Sequence, residues 1–214
     1  MTRIDKAVVL AAGRGTRMRE LTADFPKPMI EVRGKPVLQH IVEGLRDAGA
    51  RRFLIIVGYH AEMVGNFFGN GQRHNVDIDY VTQTVQDGTG RVVNLARSFA
   101  GDAPFILSYG DILVSPVNYK RVVDLPNDVE AIITVTRGED VSKGGAVFVN
   151  EQMELVDLRE KPNRVNQQVR GITQVSTHFG QAFSNSSQSW SRHARRYDSP
   201  MQSAICAFRQ KVKR

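Results

Sequence analysis

The chain has 214 residues, of which 41% are apolar and 24% charged, the profile of an ordinary soluble globular protein with enough length for one sizeable α/β core. No apolar run approaches the length of a membrane span, and a single cysteine, Cys206, excludes an internal disulfide framework. The net charge of +7 invites a nucleic-acid reading, but from Asn163 onward there are nine basic residues and one acid, whereas the first 162 residues carry 20 basic and 21 acidic groups. The body of the protein is neutral and the basicity belongs to the last 52 residues, so neither a nucleic acid nor a membrane is expected as partner. The N-terminal apolar run is too short for a signal peptide, because Gly13 and Arg14 end it, and the expected location is the cytoplasm.

Lys6 to Ala12 is a nearly continuous apolar run, as expected of a strand buried on both faces. Gly13 to Phe25 is polar and reads as a loop. Pro36 can open a helix, Leu38, Ile41, Val42 and Leu45 follow helical spacing, and Gly49 can close it. Arg52 to Val57 is a second buried strand, Ala61 to Phe68 a short helix, and Val76 to Gln83 a third strand. Arg91 to Ala100 is helical, with Val92, Leu95, Ala96 and Phe99 on one face. Pro104 to Leu107 is a fourth strand, Val129 to Thr136 a fifth, and Gly145 to Val149 with Met153 to Leu158 a hairpin. Repeated β-α-β order implies an α/β fold with a mostly parallel sheet and helices on both faces. Ligands in such folds bind beyond the carboxyl ends of the strands, where the loops at Gly13, Gln83 and Gly110 fall. After Pro162 no helical or strand period is sustained, and Ser and Gln dominate.

Three clusters carry candidate chemistry. In Leu10-Ala-Ala-Gly-Arg-Gly-Thr-Arg-Met18, Gly13 and Gly15 allow the backbone to approach a phosphate, and Arg14 and Arg17 add charge. This is neither a Walker A motif nor a dinucleotide fingerprint, and it is equally compatible with a tight turn bearing solvated arginines. In Phe25-Pro-Lys-Pro-Met29 two prolines restrict the backbone around Lys27, which suits a phosphate-binding point charge or simply a stiff surface loop. Lys35 reads as a helix-start residue. Asp111, in Gly110-Asp111, is a carboxylate at a strand's carboxyl end, a natural Mg²⁺ ligand, although aspartates there are commonly turn or cap residues. Together the clusters describe phosphoryl chemistry on a parallel sheet. His40 and His60 are expected to be structural, and His74 a solvated loop residue.

The run LAAGRGTRMRELTADFPKPMIEVRGKPVLQHIVEGL resembles the sugar-1-phosphate nucleotidyltransferases, whose pattern is roughly LAAGxGTRLxPLTxxxPKPMxxVxGKPxL. Met18 and Glu20 depart from it. The resemblance implies a Rossmann-like fold of the nucleotide-diphospho-sugar transferase type, an NTP and a sugar 1-phosphate as substrates, and Mg²⁺ as cofactor. It implies that Leu10, Ala11, Ala12, Gly13, Gly15 and Thr16 bind nucleotide, and that Gln83 and Gly88 read the base. That segment is one residue shorter here than in the family, so the base is open. Arg17 would stabilise leaving pyrophosphate, Lys27 would bind the α-phosphate and sugar phosphate, and Asp111 would hold Mg²⁺. Gly145, Glu160 and Lys161 would contact the sugar phosphate, with Gly144 beside them. Family members often assemble, so a homo-oligomer is compatible with the resemblance. Competing readings are a nucleotide-binding pseudoenzyme, a cytidylyltransferase for a non-sugar phosphate, and a nucleic-acid-binding protein using the basic tail.

Beyond Glu160-Lys-Pro162 the family continues to a segment close to Asn-Ala-Gly-Ile-Tyr-x-Phe-x-Pro, which this chain lacks. Reading the codons of Gly171 to Asn185 from their third bases, synonymous choices permit S-G-I-Y-T-F-R-P. A frameshift between about Asn163 and Gly171 is therefore expected. Residues 1–162 would be an incomplete nucleotidyltransferase domain and residues 163–214 an aberrant or disordered tail, and activity of the chain would be in question.

Overall fold

The computed structural model describes residues 1–13, 25–84, 89–127, 131–135, 145–150, 155–160, 173–175, 194–198 and 205–208. Strand β1 (Thr2–Arg3) precedes β2 (Lys6–Ala11), the expected first buried strand. Next come the short strands β3 (Glu31–Val32) and β4 (Lys35–Pro36), then helix α1 (Val37–Ala48). The β3–β4 hairpin turns on Arg33 (φ 53°) and Gly34 (φ 76°), the left-handed pair that a two-residue hairpin requires. Helix α1 stops at Gly49, whose N–H bonds the carbonyls of Leu45 and Arg46 at 3.1 and 2.9 Å and whose φ of 130° turns the chain so that the Ala50 N–H also reaches Leu45, at 3.0 Å. Lys35 lies in β4, not in the helix, and its ammonium pairs with Glu43 at 2.8 Å.

The chain continues through β5 (Arg52–Val57), α2 (Ala61–Phe68), β6 (Asp77–Thr82), α3 (Thr89–Ala100) and β7 (Phe105–Tyr109). Strand β7 is two residues longer than its apolar run, because the polar Ser108 is buried in it. Helix α4 (Pro116–Val123) follows, then β8 (Asp124–Leu125), which pairs with β1. Strand β9 (Ala131–Val135) precedes β10 (Gly145–Val149) and β11 (Leu155–Glu160), an antiparallel pair with a register shift at Phe148/Val149. The second hairpin strand runs from Leu155 to Glu160, two residues past the expected Met153 to Leu158. Within the tail, β12 (Thr173–Val175) pairs with β10, and two further strands are β13 (Ala194–Asp198) and β14 (Ile205–Phe208). These strands are too short to show a period, and their pairing lies in backbone hydrogen bonds to the strands beside them.

The main sheet has the order β13-β9-β14-β7-β2-β5-β6. Strands β7, β2, β5 and β6 are mutually parallel, β13 is parallel to β9, and β14 alone runs antiparallel to both neighbours. Alternate residues bury opposite faces. Ala7, Val9, Phe53, Ile55 and Ile106 join α1, α2 and α4 on one side. Val8, Leu54, Ile56 and Leu107 meet Ala96 and Ala100 of α3 on the other. This is the expected α/β sheet with helices on both faces. Helices α1 and α4 cross closely because Gly44 has no side chain, and a Cβ there would collide with the Tyr119 ring.

His40 is structural as expected, its Nε2 lying 2.7 Å from the Val32 carbonyl and tying α1 to the hairpin. His74 is not a solvated loop residue. Its ring packs 5.0 Å from Phe68 and stacks 6.1 Å from Phe67, centroid to centroid. Burial lowers its pKa from 6.5, Glu43 opposes that shift, and Arg46, Arg73 and Lys35 reinforce it. The unfolded chain therefore takes up this proton at a higher pH, near 6.5, than the folded chain does. The stability tied to neutral His74 is complete above that pH and is lost as pH falls below it. A His74→Gln variant should show a shallower fall in melting temperature between pH 7 and pH 5 than the parent. Identical slopes would remove His74 from the acid response.

Candidate functional site

Strands β6, β5, β2 and β7 end together on one edge. In register, Thr82 stands beside Val57, Val57 beside Ala11, and Leu10 beside Tyr109. The segments that leave this edge are Gln83, Gly58, Ala12-Gly13 and Gly110-Asp111. Gly13 is exposed, and among the described residues nothing lies within 4 Å of where a Cβ would sit. That is room for a ligand to reach the backbone. The Gln83 N–H extends the ladder to the Val57 carbonyl at 2.8 Å.

Gly110 does the same on the other side, donating to the Leu10 carbonyl at 2.9 Å. A Cβ at Gly110 would lie 2.9 Å from that oxygen and 3.2 Å from the Ala11 Cβ, so the contact needs a glycine. Asp111 is thereby held one residue beyond the closest approach of β7 to β2.

Lys27 arrives from the opposite direction in sequence. Pro26 is buried, Lys27–Met29 form a 3-10 turn, and the Met29 N–H closes it on the Pro26 carbonyl at 2.8 Å. Pro28 and Met29 are buried, which leaves Lys27 as the residue the turn presents. Its ammonium lies 2.6 Å from Asp111 Oδ2, across 84 residues of chain, with the two side chains 36% and 29% exposed. Two opposite charges are thus fixed together, next to the end of β7, and still reachable by solvent.

Leu10, Ala11, Ala12, Gly13, Gln83, Lys27 and Asp111 therefore share one sheet edge. Gly145 and Glu160 are direct partners across the β10–β11 hairpin, in a separate three-stranded sheet. Gly15, Thr16, Arg17, Gly88, Gly144 and Lys161 lie outside the described residues. Sequence reasoning missed Gly58, where a Cβ would come 2.8 Å from the Ala12 carbonyl oxygen. The available signal was position, since β5, like β7 on the other side of β2, is followed at once by glycine.

Among the described residues no group of three or more His, Cys, Asp or Glu could cage a metal ion. The donor set is the Asp111 carboxylate, with one oxygen on Lys27. Such a set suits a cation that keeps most of its water and is shared with substrate phosphates, the habit of Mg²⁺.

A parallel sheet whose carboxyl edge carries a glycine turn and a carboxylate paired with a fixed lysine is that of a nucleotide-handling α/β protein. The sequence profile of the nucleotidyl transferase family matches residues 6–185, and the chain belongs to that family. The bifunctional protein GlmU of Methanococcus aeolicus is 36% identical over 157 residues, which is 73% of this chain and 36% of the relative. The UTP–glucose-1-phosphate uridylyltransferase AglF of Haloferax volcanii is 34% identical over 161 residues, 73% of this chain and 65% of its own. The chain spans 36 to 45% of the length of GlmU and three further curated relatives. In fold it resembles a glucose-1-phosphate thymidylyltransferase from Bacillus anthracis solved with sucrose. The TM-score is 0.72 at 18% identity, covering 94% of this chain and 88% of the other. Among the described residues no helix is long and apolar enough to cross a membrane.

Proposed function

We propose that the protein transfers a nucleotidyl group from an NTP to a sugar 1-phosphate, giving an NDP-sugar and pyrophosphate. The observation that carries this is the Lys27–Asp111 pair, with Asp111 next to the Gly110 N–H that bonds the Leu10 carbonyl of β2. The sugar-phosphate oxygen attacks the α-phosphorus in line, and pyrophosphate leaves. Lys27 binds the α-phosphate and the incoming sugar phosphate, with its ammonium already placed, so little side-chain freedom is lost in the transition state. Leu10 to Gly13, with Gly15 and Thr16, cradle the nucleotide. Arg17 stabilises the departing pyrophosphate, and Gln83 and Gly88 read the base. Gly145, Glu160 and Lys161 receive the sugar phosphate. Mg²⁺, held by Asp111, would neutralise phosphate charge and polarise the reacting phosphoryl group. The same reading expects a cytoplasmic protein that acts on small molecules, and it is compatible with a homo-oligomer.

Residues 163–214 fit a segment read out of frame. The GlmU and AglF relatives are matched over 157 and 161 residues, and the third-base reading restores a family-like S-G-I-Y-T-F-R-P. The alternative, a native tail, is favoured by the family profile, whose match runs on to residue 185, and by the pairing of β13 with β9 and of β14 with β7 and β9. Sequencing the codons from Glu160 to Arg214 decides between them. An open third-base frame spelling that segment supports the frameshift, and stops in that frame reject it.

The activity itself is tested by pyrophosphate release from each common NTP with glucose 1-phosphate or mannose 1-phosphate in Mg²⁺. Release that needs both substrates is the expected result. NTP binding without release would instead make the chain a nucleotide-binding pseudoenzyme.

A further inference from the structure

Between the Gly13 loop and Gln83, the carboxyl edge is occupied by the turn after β5, which none of the roles above uses. We propose that Gly58-Tyr59-His60 is the nucleoside-positioning element of the site, an inference that rests on the nucleotidyltransferase reading. Gly58 sets how closely the turn approaches the phosphate loop. The Tyr59–His60 ring pair walls the space where ribose and base lie.

The turn touches both neighbouring segments. A Cβ at Gly58 would lie 2.8, 3.0 and 3.1 Å from the carbonyl oxygen, Cβ and Cα of Ala12, so any other residue would push on the start of the phosphate loop. On the opposite side the Val57 carbonyl accepts the Gln83 N–H at 2.8 Å. A ligand reaching from Gly13 to Gln83 must pass over this turn.

The turn is also strained in a way its structural duties do not explain. His60 has φ 51° and ψ 44°, a left-handed conformation that costs a non-glycine residue about 1 kcal/mol or more. It is the N-cap of α2, yet its side chain makes no capping hydrogen bond. Instead the imidazole lies 4.1 Å from the Tyr59 ring, centroid to centroid, at 58°, and its Nδ1 is 3.0 Å from Glu62 Oε1. Both rings are partly exposed. With Nδ1 on the Glu62 carboxylate, Nε2 is the ring nitrogen left for a ribose hydroxyl, which can donate or accept. The tilted ring pair offers an aromatic surface to a base, which is tolerant of base identity.

The test compares the full chain with Tyr59→Ala, His60→Asn and Gly58→Ala by calorimetric titration. The probes are UTP, CTP, dTTP, ATP and GTP in Mg²⁺, and inorganic pyrophosphate, which has no nucleoside. Asparagine tolerates the left-handed backbone, so H60N removes the ring without the turn. Melting temperatures of all variants are recorded in parallel. The expected result is that Y59A and H60N weaken binding of the preferred NTP by about tenfold each. Pyrophosphate binding and melting temperature should stay at the parent's values. Gly58→Ala should weaken NTP and pyrophosphate together, because it displaces the phosphate loop. NTP affinities of Y59A and H60N within about twofold of the parent would overturn the proposal, and so would equal losses for NTP and pyrophosphate. A parent chain that binds none of the NTPs would overturn the nucleotidyltransferase reading itself.

Discussion

Replacing Lys27 with methionine is expected to lower kcat/KM for NTP-dependent pyrophosphate release by about a hundred- to a thousandfold, the scale of losing one preorganised charge in a transition state. Methionine keeps most of the side-chain volume and removes only the ammonium. The backbone around it should not move, since Pro26 and Pro28 restrict it and Pro28 and Met29 are buried. The folded protein loses one partly exposed ion pair, 2.6 Å long, which contributes at most about 1 kcal/mol. The melting temperature should therefore stay within a few degrees of the parent while turnover collapses. Lys27→Arg should restore little, because the longer, planar guanidinium would engage Asp111 as a fork and centre its charge away from the position of the compact ammonium. Steady-state kinetics and a melting curve on the same preparations check this. Wild-type kcat/KM in the methionine variant would mean that Lys27 does not meet the reacting phosphates.

Gly110→Val is expected to abolish measurable turnover and to destabilise the fold by roughly 2–3 kcal/mol. The new Cβ would fall 2.9 Å from the Leu10 carbonyl oxygen and 3.2 Å from the Ala11 Cβ. Both belong to β2, which is clamped between β5 and β7 and has no room to yield. The strain is relieved by parting β7 from β2 at the edge, which breaks the Gly110 N–H to Leu10 bond and carries Asp111 away from Lys27. Gly110→Ala meets the same atoms with fewer of its own and should show the same loss in milder form. Calorimetric NTP binding in Mg²⁺, measured beside the melting temperature, reads both effects. A Gly110→Ala variant with parental affinity and melting temperature would show that the strands do not approach as closely as described.

The parts of this fold that were legible in the sequence are those with long, regular patterns. β2 and β5 are unbroken apolar runs, α1 repeats its apolar residues at helical spacing to a glycine cap, and α2 and α3 fall where expected. Helix α4 was missed because Asn118, Lys120 and Arg121 interrupt it. Its signs were Pro116 in the first turn and Tyr119, Val122 and Val123 on one buried face. The residue types of the site were readable from the Gly13 loop, Pro-Lys-Pro and Gly-Asp. The contact between Lys27 and Asp111 was not, since it depends on β2 lying between β5 and β7. His74 was misread for a similar reason, because Phe67 and Phe68 reach it from the end of α2. Gly58 was passed over because no phosphate motif surrounds it. Its role is visible only once Ala12 is seen on the adjacent strand end.

The central claim is nucleotidyl transfer at the α-phosphorus, and its most direct measurement follows two labels in one reaction. The chain is incubated in Mg²⁺ with a sugar 1-phosphate and the NTP it binds best, labelled with ³²P at the α-position in one sample and at the γ-position in another. The account predicts that the α-label moves into a sugar-linked diphosphate and the γ-label into pyrophosphate, both only when sugar phosphate is present. Release of γ-label as free phosphate, or α-label that stays in mononucleotide, would contradict it.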